Sequence, residues 1–64
     1  MKWTDTLEIA IALVEERPEV NPARVSFVDL MRYVTQLPGF DDNPRHCGEK
    51  ILEAIQQAWI SELE

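Results

Sequence analysis

Phe40-Asp41-Asp42-Asn43-Pro44 opens the stretch that decides the fold, and Glu49-Lys50-Ile51-Leu52-Glu53-Ala54-Ile55-Gln56-Gln57-Ala58-Trp59 closes it. In the closing segment Ile51, Leu52, Ile55, Ala58 and Trp59 recur at helical spacing and share one face. Glu49, Lys50, Glu53 and Gln57 share the other. Asp41, Asp42 and Asn43 are N-cap candidates, and Pro44 suits a first helical position. Gly48 interrupts helical continuity, so the helix is expected to be firm from Cys47 or Gly48 onward. Phe40 reads as an apolar anchor beneath this acidic joint. The rest of a small helical protein can pack on this helix.

The chain in front of it supplies two more helices. Trp3 precedes Thr4-Asp5, and Asp5 with Glu8 has capping-box spacing. The first helix is expected to run to about Arg17, since Pro18 disfavours helical geometry in the residue before it. Its periodicity places Leu7, Ala10, Ile11, Leu13 and Val14 on the core side, with Ile9 at the border. Asp5, Glu8, Glu15 and Glu16 fall on the opposite side, joined by Glu19 if the helical phase extends that far. Pro18-Glu19-Val20-Asn21-Pro22 is a turn with Asx chemistry. Ala23 to Phe27 alternates weakly, as a short extended piece would. Ser26 and Asp29 repeat the capping-box spacing. Leu30, Tyr33, Val34 and Leu37 then mark a second amphipathic helix that Pro38-Gly39 ends. The expected class is mainly α: one small three-helix domain over residues 1–64, with little or no strand.

Composition narrows the function. Sixty-four residues make one domain, and a chain of that size buries only about 60% of its unfolded surface. Twelve acids against six bases leave a net charge of −6. Phosphate backbones are bound by lysine and arginine, and no basic stripe exists here, so neither nucleic acid nor an anionic membrane is an expected partner. A basic protein surface or a metal cation is. The longest apolar run, Ile9 to Val14, ends in Glu15-Glu16 and is far shorter than the ~20 residues of a membrane span. No signal peptide is visible after Met1-Lys2. Cys47 is the single cysteine. It has no internal disulfide partner, which suits a reduced, cytoplasmic setting.

Chemistry-bearing motifs are few. Carboxylates three or four apart on a helix have Cβ atoms ~5–6 Å apart, so Asp5 and Glu8 can share a cation. The acidic face of the first helix thus has two readings, a solvated surface or a docking and cation-binding stripe. Asp29 sits where the helix dipole favours an anion, which accounts for it structurally. His46-Cys47 is one adjacent pair, not the multi-ligand spacing of a transition-metal site. Adjacent residues on a helix point in different directions, so a Cys-His nucleophile does not follow either. No phosphate loop, serine triad or catalytic carboxylate pair is present, and an enzyme is not expected.

The order and spacing of these pieces resemble the IscX family, small acidic proteins of bacterial iron–sulfur cluster assembly. The resemblance rests on Trp3-Thr4-Asp5, Pro18, Asn21-Pro22, Phe27, Asp29, Phe40-Asp41-Asp42, Pro44, the run Glu49 to Ile55, and Trp59. It covers nearly the whole chain. It implies a compact helical fold resembling a winged helix. It also implies a monomeric, non-enzymatic adaptor or regulator that docks through an acidic surface on the cysteine desulfurase IscS, at a site overlapping that of bacterial frataxin. Weak binding of iron, Fe(II) or Fe(III), through carboxylates is implied as well.

By position, Asp5, Asp29, Asp41, Asp42, Glu49 and Glu53 match the family's acidic pattern, and Glu8 joins them by helical geometry. These seven are the expected partner-binding residues, and Asp5, Glu8, Asp41 and Asp42 the expected iron ligands. Gln36, Pro38, Gly39 and Asn43 stand where the family often has acids, which points to a lower iron affinity. No family role transfers to His46 or Cys47. Two rival readings are an iron donor to the cluster scaffold and, by fold analogy alone, a winged-helix nucleic-acid binder, which the charge opposes.

Overall fold

The computed structural model describes residues 1–64. Three α-helices form the molecule: α1 over Thr6–Glu16, α2 over Phe27–Thr35 and α3 over Glu49–Leu63. A single 3-10 turn, Pro44–His46, precedes α3, and there is no strand. The mainly α, three-helix class expected from the sequence is the class observed. The extended piece before α2 is not a strand; residues 22–24 form a turn, and Phe27 already belongs to the helix.

α3 follows its sequence pattern closely. Leu52, Ile55 and Trp59 are buried, Ile51 and Ala58 are half-buried, and Glu49, Lys50, Glu53 and Gln57 lie in solvent. Asn43 caps the 3-10 turn as expected, its side chain accepting from the Arg45 N–H at 2.9 Å, with Pro44 in the first position. α2 likewise buries Leu30 and Val34, with Leu37 just beyond its end and Tyr33 half-buried. Half of its expected capping box forms: Ser26 Oγ accepts from the Asp29 N–H at 3.1 Å. The Asp29 carboxylate turns instead to Arg32, one turn along.

α1 departs from its pattern in two respects. The Asp5–Glu8 capping box is not formed; Asp5 is the N-cap residue but makes no side-chain cap bond. Its carboxylate turns back and accepts from the Lys2 N–H at 2.8 Å, while the Asp5 N–H donates to the Lys2 carbonyl at 3.0 Å. The turn before the helix has taken the capping group. The buried face is also rotated from the expected one. Ile9, Ala10 and Leu13 are fully buried, whereas Leu7 is 58% and Ile11 44% exposed. The cause is composition. Seven of the nine residues from Leu7 to Glu15 are apolar, so the helix is greasy most of the way round and periodicity selects its inner side poorly. α1 lies chiefly against α3 and only lightly against α2, and a single main neighbour covers one arc. Glu19 falls beyond the helix end and is not on the acidic face.

The core comprises Trp3, Ile9, Ala10, Leu13, Leu30, Val34, Leu37, Leu52, Ile55 and Trp59. Leu37-Pro38-Gly39-Phe40 closes it from below: the Phe40 N–H donates to the Leu37 carbonyl at 3.1 Å, and Gly39 takes φ +83°. Proline then glycine with positive φ is the chemistry of a type II turn. It aims Phe40 at Trp3, whose ring it meets edge-on at 5.0 Å. The turn before α2 is tied to α3 by Gln56, whose side-chain amide donates to the Pro22 carbonyl at 2.9 Å. Trp59 is fully buried and its indole N–H has no acceptor.

Trp59→Ala is expected to cost ~3–5 kcal/mol, the range for truncating a buried aromatic. That is a large share of the ~5–15 kcal/mol that holds a native domain together. Leu7→Ser, at an exposed site, is expected to stay within about 0.5 kcal/mol of the parent. Thermal and urea unfolding followed by circular dichroism checks both.

Candidate functional site

The acidic joint is held by the first three residues of the chain. The Met1 nitrogen donates to the Gly39 carbonyl at 2.6 Å, and the Asp41 N–H donates to the Met1 carbonyl at 2.9 Å. The Lys2 ammonium pairs with the Asp41 carboxylate. The Trp3 N–H donates to Asp42 Oδ2 at 3.1 Å, and the Trp3 indole Nε1–H to the Asn43 carbonyl at 2.8 Å. With its ring in the core and both N–H groups satisfied by the joint, Trp3 fastens residues 41–43 beside the start of α1. The sequence marked Trp3 as the residue ahead of a helix and as part of the family motif, not as a tie to the joint. Its being one of two tryptophans was the available signal.

Asp42 is the hub. One carboxylate oxygen takes the Trp3 N–H; the other takes the Asn43 N–H at 2.7 Å and lies 3.2 Å from His46 Nδ1. The Trp3 N–H bond, followed by the Asn43 N–H and His46, holds its carboxyl below the ordinary aspartate value of 3.8. Asp41 is likewise lowered, first by the hydrogen bond from Lys2 and then by its charge. The same contact holds the Lys2 ammonium above its ordinary 10.5, with Asp42 and Asp5 adding to the field. Cys47, half-buried, directs its thiol at the Pro44 carbonyl at 3.4 Å.

The seven expected site residues therefore divide. Asp5, Asp41 and Asp42 gather around Lys2 and Trp3, and all three already accept from protein donors. Asp29 stands apart at the start of α2, paired with Arg32. Glu8 on α1 and Glu49 and Glu53 on α3 are exposed and take part in no ion pair. No three carboxylate, imidazole or thiol groups converge to hold a metal ion. The oxygen donors suit a hard cation, but of the four expected ligands Asp5, Asp41 and Asp42 already accept from Lys2 or Trp3, and Glu8 stands alone in solvent. No helix is long and apolar enough to cross a membrane.

Comparison with known proteins now adds to this geometry. A family model described as iron–sulphur cluster assembly matches residues 1–64. The chain belongs to that family. This is the IscX-type family that its motifs resemble, so a role in iron–sulfur cluster assembly follows from membership. A relative, the uncharacterized protein PA3808 of Pseudomonas aeruginosa, is 63% identical over 62 residues, covering 97% of this chain and 94% of its own length.

The lowered aspartates predict an acid-sensitive joint. A carboxyl with a depressed folded pKa contributes stability that is complete above its unfolded value and is lost as pH falls through the folded one. Stability is thus expected to hold down to roughly pH 4 and to fall below it. Asp42→Asn is expected to melt earlier at neutral pH and to lose less on acidification than the parent. Melting temperatures measured from about pH 6 down to pH 2 give the test; parallel curves would contradict it.

Proposed function

We propose that the protein is a non-enzymatic adaptor in iron–sulfur cluster assembly that docks through its acidic surface on the cysteine desulfurase and modulates sulfur delivery. The observation that carries this reading is the set of carboxylates left without an internal partner. Glu8, Glu15 and Glu16 project from α1, which carries no base at all, and Glu49 and Glu53 project from the start of α3. Together with a net charge of −6, they form a field suited to a basic protein surface. In this reading Asp5, Asp41 and Asp42 build the joint and tune its shape, while Glu8, Glu49 and Glu53 meet the partner. Asp29 contributes at most at the rim, because Arg32 already neutralises it.

Iron enters as a weakly held modulator. Carboxylate oxygens are hard donors that take Fe(II) or Fe(III) without selecting strongly among hard cations, and surface pairs lack the supporting shell that tightens a site. The lack of a converging ligand set favours this over an iron carrier, which must hold its cargo between partners. A phosphate-backbone ligand is opposed by the charge.

Calorimetric titration into the purified desulfurase, with and without Fe(II) and at two salt concentrations, tests the reading. Binding that weakens as salt rises is expected, since steering between exposed charges fades beyond a Debye length of ~8 Å at physiological ionic strength. Glu8→Lys with Glu49→Lys is expected to weaken binding by roughly tenfold or more, as like charges are brought together. Asp29→Asn is expected to change it little. Absence of binding at low salt would reject the adaptor, and transfer of stoichiometric iron to a scaffold would favour the carrier.

A further inference from the structure

Leu7 and Ile11 are the exposed apolar residues of α1, at 58% and 44% exposure. They lie four residues apart on one row of the helix, with Cβ atoms ~5–6 Å from each other. Val14, three residues on, is half-buried against the core, so the row runs from open solvent down into the packed interior. Single exposed leucines are ordinary on protein surfaces. Two on one row, on a helix with no base and with acids along its edge, are a patterned surface. Glu8 follows Leu7 directly, three residues before Ile11, and Glu15 lies four beyond it; both are exposed and unpaired.

We infer that this face of α1 is an anchored docking surface, in which Leu7 and Ile11 enter an apolar depression on the partner and Glu8 and Glu15 meet lysine or arginine around its rim. The inference rests on the docking reading above and adds the contact that makes the complex last. An apolar centre with a charged rim is the common anatomy of protein interfaces. The rim charges set the approach and its salt dependence, and the anchors set how slowly the partners separate. Charge decides among possible occupants. A second copy of this chain would bring the same carboxylates face to face, and an anionic lipid surface would repel them. An eleven-residue helix without a base has none of the cationic face that membrane-surface helices use. A basic protein surface with an apolar centre satisfies both halves of the pattern.

The test titrates the parent and the Leu7→Ser/Ile11→Ser double variant into the purified desulfurase, across a series of salt concentrations and at several temperatures. Both positions are exposed, so the variant is expected to melt with the parent, and its charge is the same. It is expected to bind at least tenfold more weakly at every salt concentration, with an unchanged salt slope and a smaller negative heat-capacity change, the marker of apolar burial. Equal affinity and equal heat capacity for parent and variant would overturn the anchored face and leave the electrostatic adaptor standing. No binding by the parent at low salt would reject the adaptor and the anchor with it. A variant that melts earlier than the parent would be replaced by Leu7→Gln/Ile11→Gln, which keeps helix propensity while removing the apolar tips, and the same readouts apply.

Discussion

The indole of Trp3 is the contact on which the arrangement depends. Its ring is in the core and meets Phe40 edge to face, its Nε1–H reaches the Asn43 carbonyl, and the backbone N–H of the same residue reaches Asp42, across some forty residues of chain. Without it, the entry to α1 and the approach to α3 would be tied only at their exposed edge, by Met1 and Lys2. With it, they become one corner pinned to the core, from which the chain passes through the 3-10 turn into α3. A domain with so few buried side chains cannot spread this duty over many contacts. The polar handle of tryptophan suits the task, since it lets a large apolar ring end at a wet boundary.

That corner also sorts the acidic residues. An aspartate that accepts two backbone N–H groups, as Asp42 does, is part of the scaffold, its oxygens already engaged. A glutamate standing in solvent on a helix without bases contributes its field to whatever approaches. Both kinds count equally toward a net charge of −6, yet only the second is free to act on a partner. The distinction explains how one small molecule can be strongly acidic and still show no converging ligand set for a metal ion.

Much of this was legible before the structure. α3 and α2 have hydrophobic positions at clean intervals and polar residues between them, so their inner faces could be read directly, as could the Ser26 cap of α2; α3 begins without a side-chain cap, since Asn43 caps the 3-10 turn before it. α1 misled because its composition outruns its surroundings. Leu7, Ile9, Ile11, Leu13 and Val14 offer several equally apolar sides, and which one is covered depends on the position of α3, a tertiary fact with no local signature. Asp5 carried the right residue type for a cap, but Lys2 offered its carboxylate a nearer donor. The acids of the site were all visible, whereas their division into scaffold and surface required knowing that residues 1–3 return to residues 39–43. Nothing in the spacing of a lysine and an aspartate thirty-nine positions apart announces their pairing.

The same return of the chain bears on how the protein is made. α1 is synthesised first, but its main neighbour is α3, and its entry is held by residues 41–43. An eleven-residue helix is too short to persist alone in water. The ribosome therefore delivers an unfolded apolar segment that must wait for most of the chain before it can be covered. Its buried face has no cover until α3 has been made. Through that interval the glutamates flanking Leu7 and Ile11 serve the nascent segment as solubilising charges that discourage association between neighbouring chains.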